Sequence, residues 1–244
     1  MSVEPLYFGG RELFGLYRPA SPGVPARRHL VVICNAALHE YFKIQHVARQ
    51  LGTELADAGF DVLRFDFSGQ GNSGGDLSQF HWPDDLRLAV QEGTQISGAV
   101  QTSIVGFRAG ALVAAAAGLS PRNFIAWDPV VDGAAYMEQL RGVQASLVRA
   151  HVHLPASAGE SIEADEILGY RLGDEFVSTM ESLRLDWERV DAERRCVVLS
   201  ESGEDTQAAG VEVARVPFIC HWNLPSSRLL FAHDVVAKLK ECVR

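Results

Sequence analysis

A β-branched run, a turn with two glycines and an alanine-rich stretch follow one another near the middle of this 244-residue chain. They cover residues 102–105, 106–110 and 111–117. This order predicts a buried strand, a sharp turn and a helix that lies close on the sheet, because alanine side chains hold helix and strand only a short distance apart. Glycine is expected at both ends of the turn, where a side chain would collide with the neighbouring strand and helix.

The turn has the spacing Gly-x-Arg-x-Gly, with Arg108 at its centre. This is the spacing of a nucleophile elbow, Gly-x-Ser-x-Gly, in which the central serine attacks an acyl carbon. A guanidinium cannot replace that serine as a nucleophile, since it stays protonated at any working pH. The turn therefore predicts the fold of such enzymes and argues against their usual chemistry.

The amino-acid composition indicates a globular protein and argues against several other classes. The chain is 47% hydrophobic and 22% charged, which is typical of a globular domain, and its length suits one α/β domain. No apolar stretch approaches the roughly 20 residues that span a bilayer, and the first residues lack the pattern of a signal peptide. A formal charge of −9 argues against general binding to nucleic acid.

The cysteines indicate neither a metal site nor a cofactor. Cys34, Cys196, Cys220 and Cys242 have no metal-ligand spacing, and three of them lie in or beside apolar runs. A buried free thiol in such a position acts as a small hydrophobic side chain. We therefore predict no metal, no cofactor and a reducing, cytoplasmic location.

Strand and helix patterns alternate along most of the chain. A hairpin is predicted over residues 6–17 on a Gly-Gly turn. Apolar runs of strand length follow at 29–34, 61–67, 102–105, 124–127, 196–199 and 211–216, and helical spacing is found at 44–55, from 82 onward, at 111–117 and at 229–243. This alternation predicts the α/β class, with a doubly wound, mostly parallel sheet.

Residues 133–190 interrupt that alternation. One helix is expected around 136–147, a loop-like stretch at 151–163, and one or two further helices within 167–185. A block of this kind between two sheet strands predicts a helical cap insertion over the strand ends. The expected organisation is a core of residues 1–132 and 191–244 with a cap of residues 133–190.

Several stretches together resemble the α/β-hydrolase superfamily. Within it, the chain is similar to the serine-aminopeptidase-like proteins encoded with bacterial exosortase systems, the exosortase A system-associated hydrolases. The stretches that carry the resemblance are 31–35 with 39–41, 63–73, 106–110, 127–133 and 169–172. The resemblance implies the α/β-hydrolase fold and an esterase, thioesterase or aminopeptidase ancestry, with arginine in place of the elbow serine.

Arg108 has two interpretations. Backbone N–H groups and the helix dipole favour an anion at a helix N-terminus, and a guanidinium there would complete a site for a carboxylate or phosphate. Alternatively, Arg108 turns inward, bonds the cap or an acidic loop, and fills a site that has lost its activity.

The resemblance also suggests partners for the elbow. His221 follows the last strand, where the superfamily has its catalytic histidine, although a loop histidine bonded to a carbonyl fits equally well. Three residues remain open as the acid, namely Asp128 after one strand and Glu201 or Asp205 after the next.

Four further residues belong to the expected site. Ala36 and Ala109 occupy the places whose backbone N–H groups would donate to an oxyanion. His39 and Glu40 would overhang them and contact a ligand, unless they belong to a solvated loop.

Two functions follow. One is a pseudo-hydrolase that binds a small anionic acyl or peptide ligand without catalysis. The other is an enzyme of the same fold without a serine nucleophile, with ester, thioester or transferase-like chemistry. In that second case His221 and an acid activate water or abstract a proton while Arg108 holds the anion. The expected partner is a small anionic ligand or acyl substrate, and a homodimer or protein partner is left open.

Overall fold

The computed structural model describes residues 3–10, 12–150, 166–201, 203, 209–222 and 230–244. The strands are β1 (Glu4–Phe8), β2 (Leu13–Arg18), β3 (His29–Cys34), β4 (Asp61–Phe65), β5 (Gln101–Phe107), β6 (Asn123–Trp127), β7 (Glu166–Ile167), β8 (Tyr170–Arg171), β9 (Arg194–Leu199) and β10 (Val211–Arg215). The helices are α1 (His39–Ala56), α2 (Trp82–Ser97), α3 (Ala109–Ala116), α4 (Gly133–Ala150), α5 (Asp174–Ser182) and α6 (His233–Val243).

Eight strands form one sheet in the order β1-β2-β4-β3-β5-β6-β9-β10. The β1–β2 and β2–β4 pairs are antiparallel and the remaining pairs are parallel. The predicted N-terminal hairpin and the doubly wound, mostly parallel sheet are therefore confirmed. Because β3, β5, β6 and β9 run parallel, the residues that follow them meet at one edge of the sheet.

Helices cover both faces of this sheet, which explains the continuous apolar runs. All six residues of β3 are buried. Leu30, Val32 and Cys34 belong to the core shared with α2 and α3, whereas Val31 and Ile33 belong to the core shared with α1 and α6. Successive side chains of a strand point to opposite faces, so a strand between two helical layers needs apolar residues at every position.

The two glycines of the central turn lie where the sequence required them. A Cβ on Gly106 would stand 2.5 Å from the Cα of Ala111, and a Cβ on Gly110 would stand 2.7 Å from the carbonyl oxygen of Cys34. Both approaches involve backbone atoms, which cannot rotate away. The turn therefore brings α3 against β5 and against the segment that follows β3.

Helix α1 begins earlier than the apolar spacing suggested. The helical spacing of apolar residues begins at Ile44, but the helix starts at His39. Leu38 has a φ of 51° and its backbone N–H donates to Gln70 Oε1 at 2.6 Å, which fixes a sharp turn into the helix. Glu40 lies in the first turn, where the positive end of the helix dipole stabilises a carboxylate. The last helix begins at His233 and not at 229, and residues 223–229 lie outside the described part.

The block between β6 and β9 contains α4, a two-stranded hairpin of β7 and β8, and α5. The helix expected around 136–147 is present, and the stretch 151–163 lies outside the described residues. One helix, α5, lies within 167–185 as predicted, and before it Gly169, with a φ of 83°, turns residues 166–171 into a hairpin that was not predicted. The cap boundaries of 133–190 remain a prediction.

The cysteines correct one part of the sequence interpretation. Cys196 of β9 and Cys242 of α6 are paired as a disulfide, so neither is a free thiol. Cys34 and Cys220 are buried and form no disulfide with a described residue, and burial raises the pKa of Cys220 to about 12. The cytoplasmic location remains a prediction. No helix in the described ranges has the length and apolar character that crossing a membrane requires.

A buried histidine at the start of β3 makes stability depend on pH. His29 is 5% exposed and its Nε2 lies 2.8 Å from Ser103 Oγ. Burial, with help from the charges of Arg122 and Arg27, lowers the pKa of His29 from 6.5 to about 4. Between these values the unfolded chain binds the proton more readily, so stability falls as the pH falls from about 6.5 to about 4.

We expect His29 to account for a loss of about 2 kcal/mol between pH 7 and about pH 4.5. Urea unfolding of the protein and of His29→Asn at both values measures this loss. The wild type should lose more stability than the variant by that amount. An equal loss in both proteins would show that His29 does not carry the effect.

Candidate functional site

Arg108 lies at the carboxyl end of β5, in the turn that leads into α3. Its φ of 52° and ψ of −124° are unusual for a residue with a side chain, a conformation that costs about 1–3 kcal/mol. Its backbone N–H donates to the Trp127 carbonyl at 3.0 Å and so joins the turn to the end of β6. The residue is only 9% exposed, so the guanidinium lies inside the protein.

Glu40 of α1 is the counter-ion of that guanidinium. Arg108 Nε donates to Glu40 Oε1 at 3.2 Å, and Nη1 donates to the Asp128 carbonyl at 2.8 Å. The hydroxyl of Tyr136 donates to Glu40 Oε2 at 3.0 Å, and Glu40 is 1% exposed. Burial disfavours the charge on Arg108, but Glu40, Tyr136 and Asp128 together outweigh this, and the pKa of Arg108 is raised above its ordinary value.

Asp128 follows β6 and its carboxylate is fully engaged. Oδ1 accepts from the Ser200 backbone N–H at 2.8 Å, while Oδ2 accepts from Ser200 Oγ at 2.5 Å and from Trp222 Nε1 at 2.9 Å. Gly203 packs so closely that a Cβ there would collide with Oδ1 of Asp128. Of the two predicted acids in the described part of the chain, Asp128 and Glu201, Asp128 is the one that lies beside Arg108.

The indole of Trp222 contacts both Asp128 and Arg108. Besides donating to Asp128, its ring lies with its centroid 5.1 Å from the Arg108 guanidinium carbon. In a catalytic triad a histidine has this relation to the acid and the nucleophile. An indole N–H only donates, so Trp222 cannot accept a proton as that histidine does.

The His221 side chain is exposed and hydrogen-bonds to none of the described residues. Only its carbonyl takes part in the site, accepting from Lys43 Nζ at 3.2 Å. Sequence reasoning chose His221 and missed Trp222 by one position. Cys220 and Trp222 are both buried while His221 between them is exposed, but this alternation is visible only in the structure, because the segment lies outside the strands and helices and its sequence has no period.

Glu201 is the second candidate acid in the described part of the chain, and it makes no described contact with Arg108. Glu201 is exposed, and its backbone N–H donates to the Phe218 carbonyl at 2.8 Å. Asp205 lies outside the described residues.

The two predicted oxyanion donors lie on segments that touch. Gly110 contacts the backbone at Cys34 and Asn35, which brings Ala109 close to the segment that contains Ala36. Both alanines are 0% exposed, and no described residue accepts a hydrogen bond from either N–H. Their role as oxyanion donors remains a prediction.

The first turn of α1 contributes two further groups. His39 Nε2 lies 3.2 Å from the Trp222 carbonyl, and burial lowers the pKa of His39. Lys43, which sequence reasoning did not select, is 2% exposed and donates to the Trp222 carbonyl at 3.0 Å. Burial lowers the pKa of Lys43 as well. Two cations, Arg108 and Lys43, thus lie among the buried acids Glu40 and Asp128.

A cavity of about 280 Å³ opens beside Arg108. It is lined by Arg108, Pro129, Val130, Val131, Asp132, Ala135, Tyr136 and Gln139. Asp132 is occupied elsewhere, because its carboxylate accepts from the Ala135 N–H at 2.9 Å and pairs with Arg184 at 3.0 Å. Nη2 of Arg108 hydrogen-bonds to none of the described residues, so the guanidinium keeps one free donor group at this cavity.

One group of potential metal ligands is present in the described part of the chain, and it lies away from this site. Cys196, Glu212 and Cys242 bring three ligand atoms within 4.8 Å of one another. The two sulfurs are bonded to each other, and Glu212 pairs with Arg194 at 2.6 Å. The three ligand atoms of this group are therefore already engaged and are not available to bind a metal ion.

Solved structures of other proteins are similar to this chain in fold, whereas sequence comparisons find no match. No protein-family profile matches the chain, and no curated protein is similar to it in sequence. A lidless α/β serine hydrolase from Xanthomonas campestris superposes with a TM-score of 0.60 at 17% identity, over 99% of this chain and 94% of that one.

Two other solved structures agree with this result. A soluble variant of the monoglyceride lipase from Saccharomyces cerevisiae, in complex with a substrate analogue, gives a TM-score of 0.63 at 11% identity, over 99% and 93% of the two chains. The bottromycin epimerase in complex with bottromycin A2 gives 0.55 at 15% identity, over 100% and 98%. Identities this low establish the architecture only, and on that basis the chain has the α/β-hydrolase fold.

Proposed function

We propose that this chain is a pseudo-hydrolase, a protein with the α/β-hydrolase fold that binds a small anionic acyl or peptide ligand beside Arg108 and does not cleave it. The observation that carries the proposal is the free Nη2 group of Arg108 at a cavity of about 280 Å³. Nη2 belongs to a charged guanidinium, and a charge-assisted hydrogen bond from it to a carboxylate or phosphate suits an anionic end group.

The groups at the triad positions support the absence of hydrolysis. Acyl transfer needs a nucleophile and a base that removes its proton. Arg108 stays protonated, and Trp222, which bonds the acid, has no lone pair to accept a proton. His221, the base of the competing enzymatic hypothesis, has an exposed side chain.

The fold itself does not require hydrolysis. One of the structurally similar proteins is described as an epimerase, so enzymes other than hydrolases share this architecture. The function must therefore be argued from the site and not from the fold.

The counter-ion provides the test of the ligand site. An incoming anion competes with Glu40 for Arg108, which Glu40 contacts at 3.2 Å. In Glu40→Gln the guanidinium loses that competitor, and we expect an anion to bind about tenfold more tightly than to the wild type. In Arg108→Met/Glu40→Gln, which contains neither charge, binding should disappear.

Isothermal titration with octanoate and with phosphopantetheine measures both changes. Arg189→Met, which removes an exposed arginine whose ion pair with Asp186 does not line the cavity, serves as the control and should bind as the wild type does. If neither probe binds to the wild type or to Glu40→Gln, Arg108 only fills the site. Equal affinity in Glu40→Gln and the double variant would also contradict the proposal.

A further inference from the structure

A second cavity lies apart from Arg108, between the first turn of α1, the loop after β4 and the hairpin of the 133–190 block. Its volume is about 390 Å³, within the range of roughly 300–1,000 Å³ that small-molecule sites occupy. The residues that line it are Leu38, Tyr41, Phe42, Gly69, Gln70, Gly71, Asn72 and Tyr170. None of these described lining residues carries a charge, so an ionic ligand would find no counter-ion on the walls.

Two polar groups of this cavity have no hydrogen-bond partner among the residues that the structure describes. Gln70 is 4% exposed, and its Oε1 accepts from the Leu38 backbone N–H at 2.6 Å, which fixes the orientation of the amide. Nε2 of Gln70 is then left buried without a described partner. The hydroxyl of Tyr170 also hydrogen-bonds to no described residue. A buried donor without a partner is costly, so a ligand oxygen that reaches Gln70 would be favoured.

Aromatic rings supply the apolar part of the walls. Phe42 is 57% exposed and its ring meets that of Tyr41 edge-on, with centroids 5.2 Å apart. The face of an aromatic ring carries partial negative charge, so it attracts C–H groups that carry partial positive charge. Gly69 and Gly71 add backbone to the wall of the cavity, and a Cβ on Gly71 would stand 2.5 Å from Tyr41 Oη, so the loop after β4 lies directly against that side chain.

The cavity is held in shape by Asp66. Its Oδ1 accepts from Tyr41 Oη at 2.9 Å and its Oδ2 accepts from the Asn72 N–H at 3.0 Å. Its carbonyl accepts from Ser73 Oγ at 2.5 Å. These bonds tie α1 to the loop after β4, so a ligand would not have to order that loop on binding.

From these observations we infer that this second cavity binds a neutral sugar ring. Such a ring has C–H faces that suit Phe42 and Tyr170, and hydroxyl groups along its edge that suit Gln70 Nε2, the Tyr170 hydroxyl and the Asn72 amide. It also carries no charge, in agreement with the uncharged walls. The site is independent of Arg108 and of the function proposed above.

Saturation-transfer NMR with the full chain tests this inference, with methyl glycosides of glucose, galactose and mannose as probes. At least one glycoside should bind, and Phe42→Ala should weaken it about tenfold, because the substitution removes the exposed ring. Tyr170→Phe, which removes only the hydroxyl, should weaken binding about fivefold. Glucuronate, a similar ring with a carboxylate, should bind more weakly than the glucoside.

Phe231→Ala is the matched control, because Phe231 is 61% exposed and does not line the cavity. It should bind the glycoside as the wild type does, and so should Arg108→Met/Glu40→Gln, which separates this site from the anion site. If none of the three glycosides binds, or if Phe42→Ala and Tyr170→Phe bind as the wild type does, the inference is wrong. Tighter binding of glucuronate would also overturn it.

Discussion

Replacing Arg108 with methionine is expected to lower the free energy of unfolding by about 3–5 kcal/mol, the range observed when one partner of a buried ion pair is removed. Glu40, at 1% exposure, would keep the Tyr136 hydroxyl as a hydrogen-bond donor and lose the guanidinium. Lys43, one turn along α1, compensates only in part, since its ammonium donates to the carbonyls of residues 221 and 222. Urea unfolding measures the loss.

The same substitution in a Glu40→Gln background should cost far less, because no buried charge is then left without its counter-ion. We expect a coupling energy between the two positions of about 2 kcal/mol or more in the double-mutant cycle. Arg184→Met is the control, because its ion pair with Asp132 is exposed and should contribute less than about 1 kcal/mol. Additive effects of the Arg108 and Glu40 substitutions would contradict the ion pair described here.

Replacing Gly106 with alanine is expected to destabilise the protein by about 3 kcal/mol, at the upper end of what overpacking usually costs. The new Cβ would stand 2.5 Å from Ala111 Cα and 2.7 Å from Ala111 N, so α3 would have to move away from β5. That movement would also displace Arg108 from Glu40 and Asp128. Thermal or urea unfolding measures the effect.

Gly142→Ala is the matched control for Gly106→Ala. Gly142 is exposed in the interior of α4, and a Cβ there would meet nothing within 4 Å. The substitution should stabilise the protein by about 0.5–1 kcal/mol, because alanine is the better helix former. If Gly106→Ala were as stable as Gly142→Ala, the close approach of α3 to β5 would not be as described.

The sheet could be predicted from the sequence because its signals are local. Packing between two helical layers requires apolar residues throughout β3, glycines around Arg108 and alanines in α3. All three features are visible in the sequence. The hairpin over residues 166–171 was missed, since two-residue strands leave almost no periodic pattern.

The contacts of the site could be predicted only in part. That Asp128 would follow β6 at the edge shared with Arg108 can be inferred from parallel strand order. Whether histidine or tryptophan would reach its carboxylate depends on which of residues 221 and 222 turns inward, and a segment outside regular structure has no period that decides this. Glu40 was expected to contact a ligand, and its bond to Arg108 depends on the unusual start of α1 at Leu38.

We propose that Arg108 at the elbow and Trp222, which bonds Asp128, leave this protein without acyl-transfer chemistry. Intact-mass spectrometry after incubation with a fluorophosphonate probe tests it most directly, because the probe forms an adduct only with an activated serine. We predict an unmodified mass for the wild-type chain under conditions that fully label a serine hydrolase run in parallel. A stoichiometric adduct mapped to any serine of this chain would contradict the account and establish a displaced nucleophile.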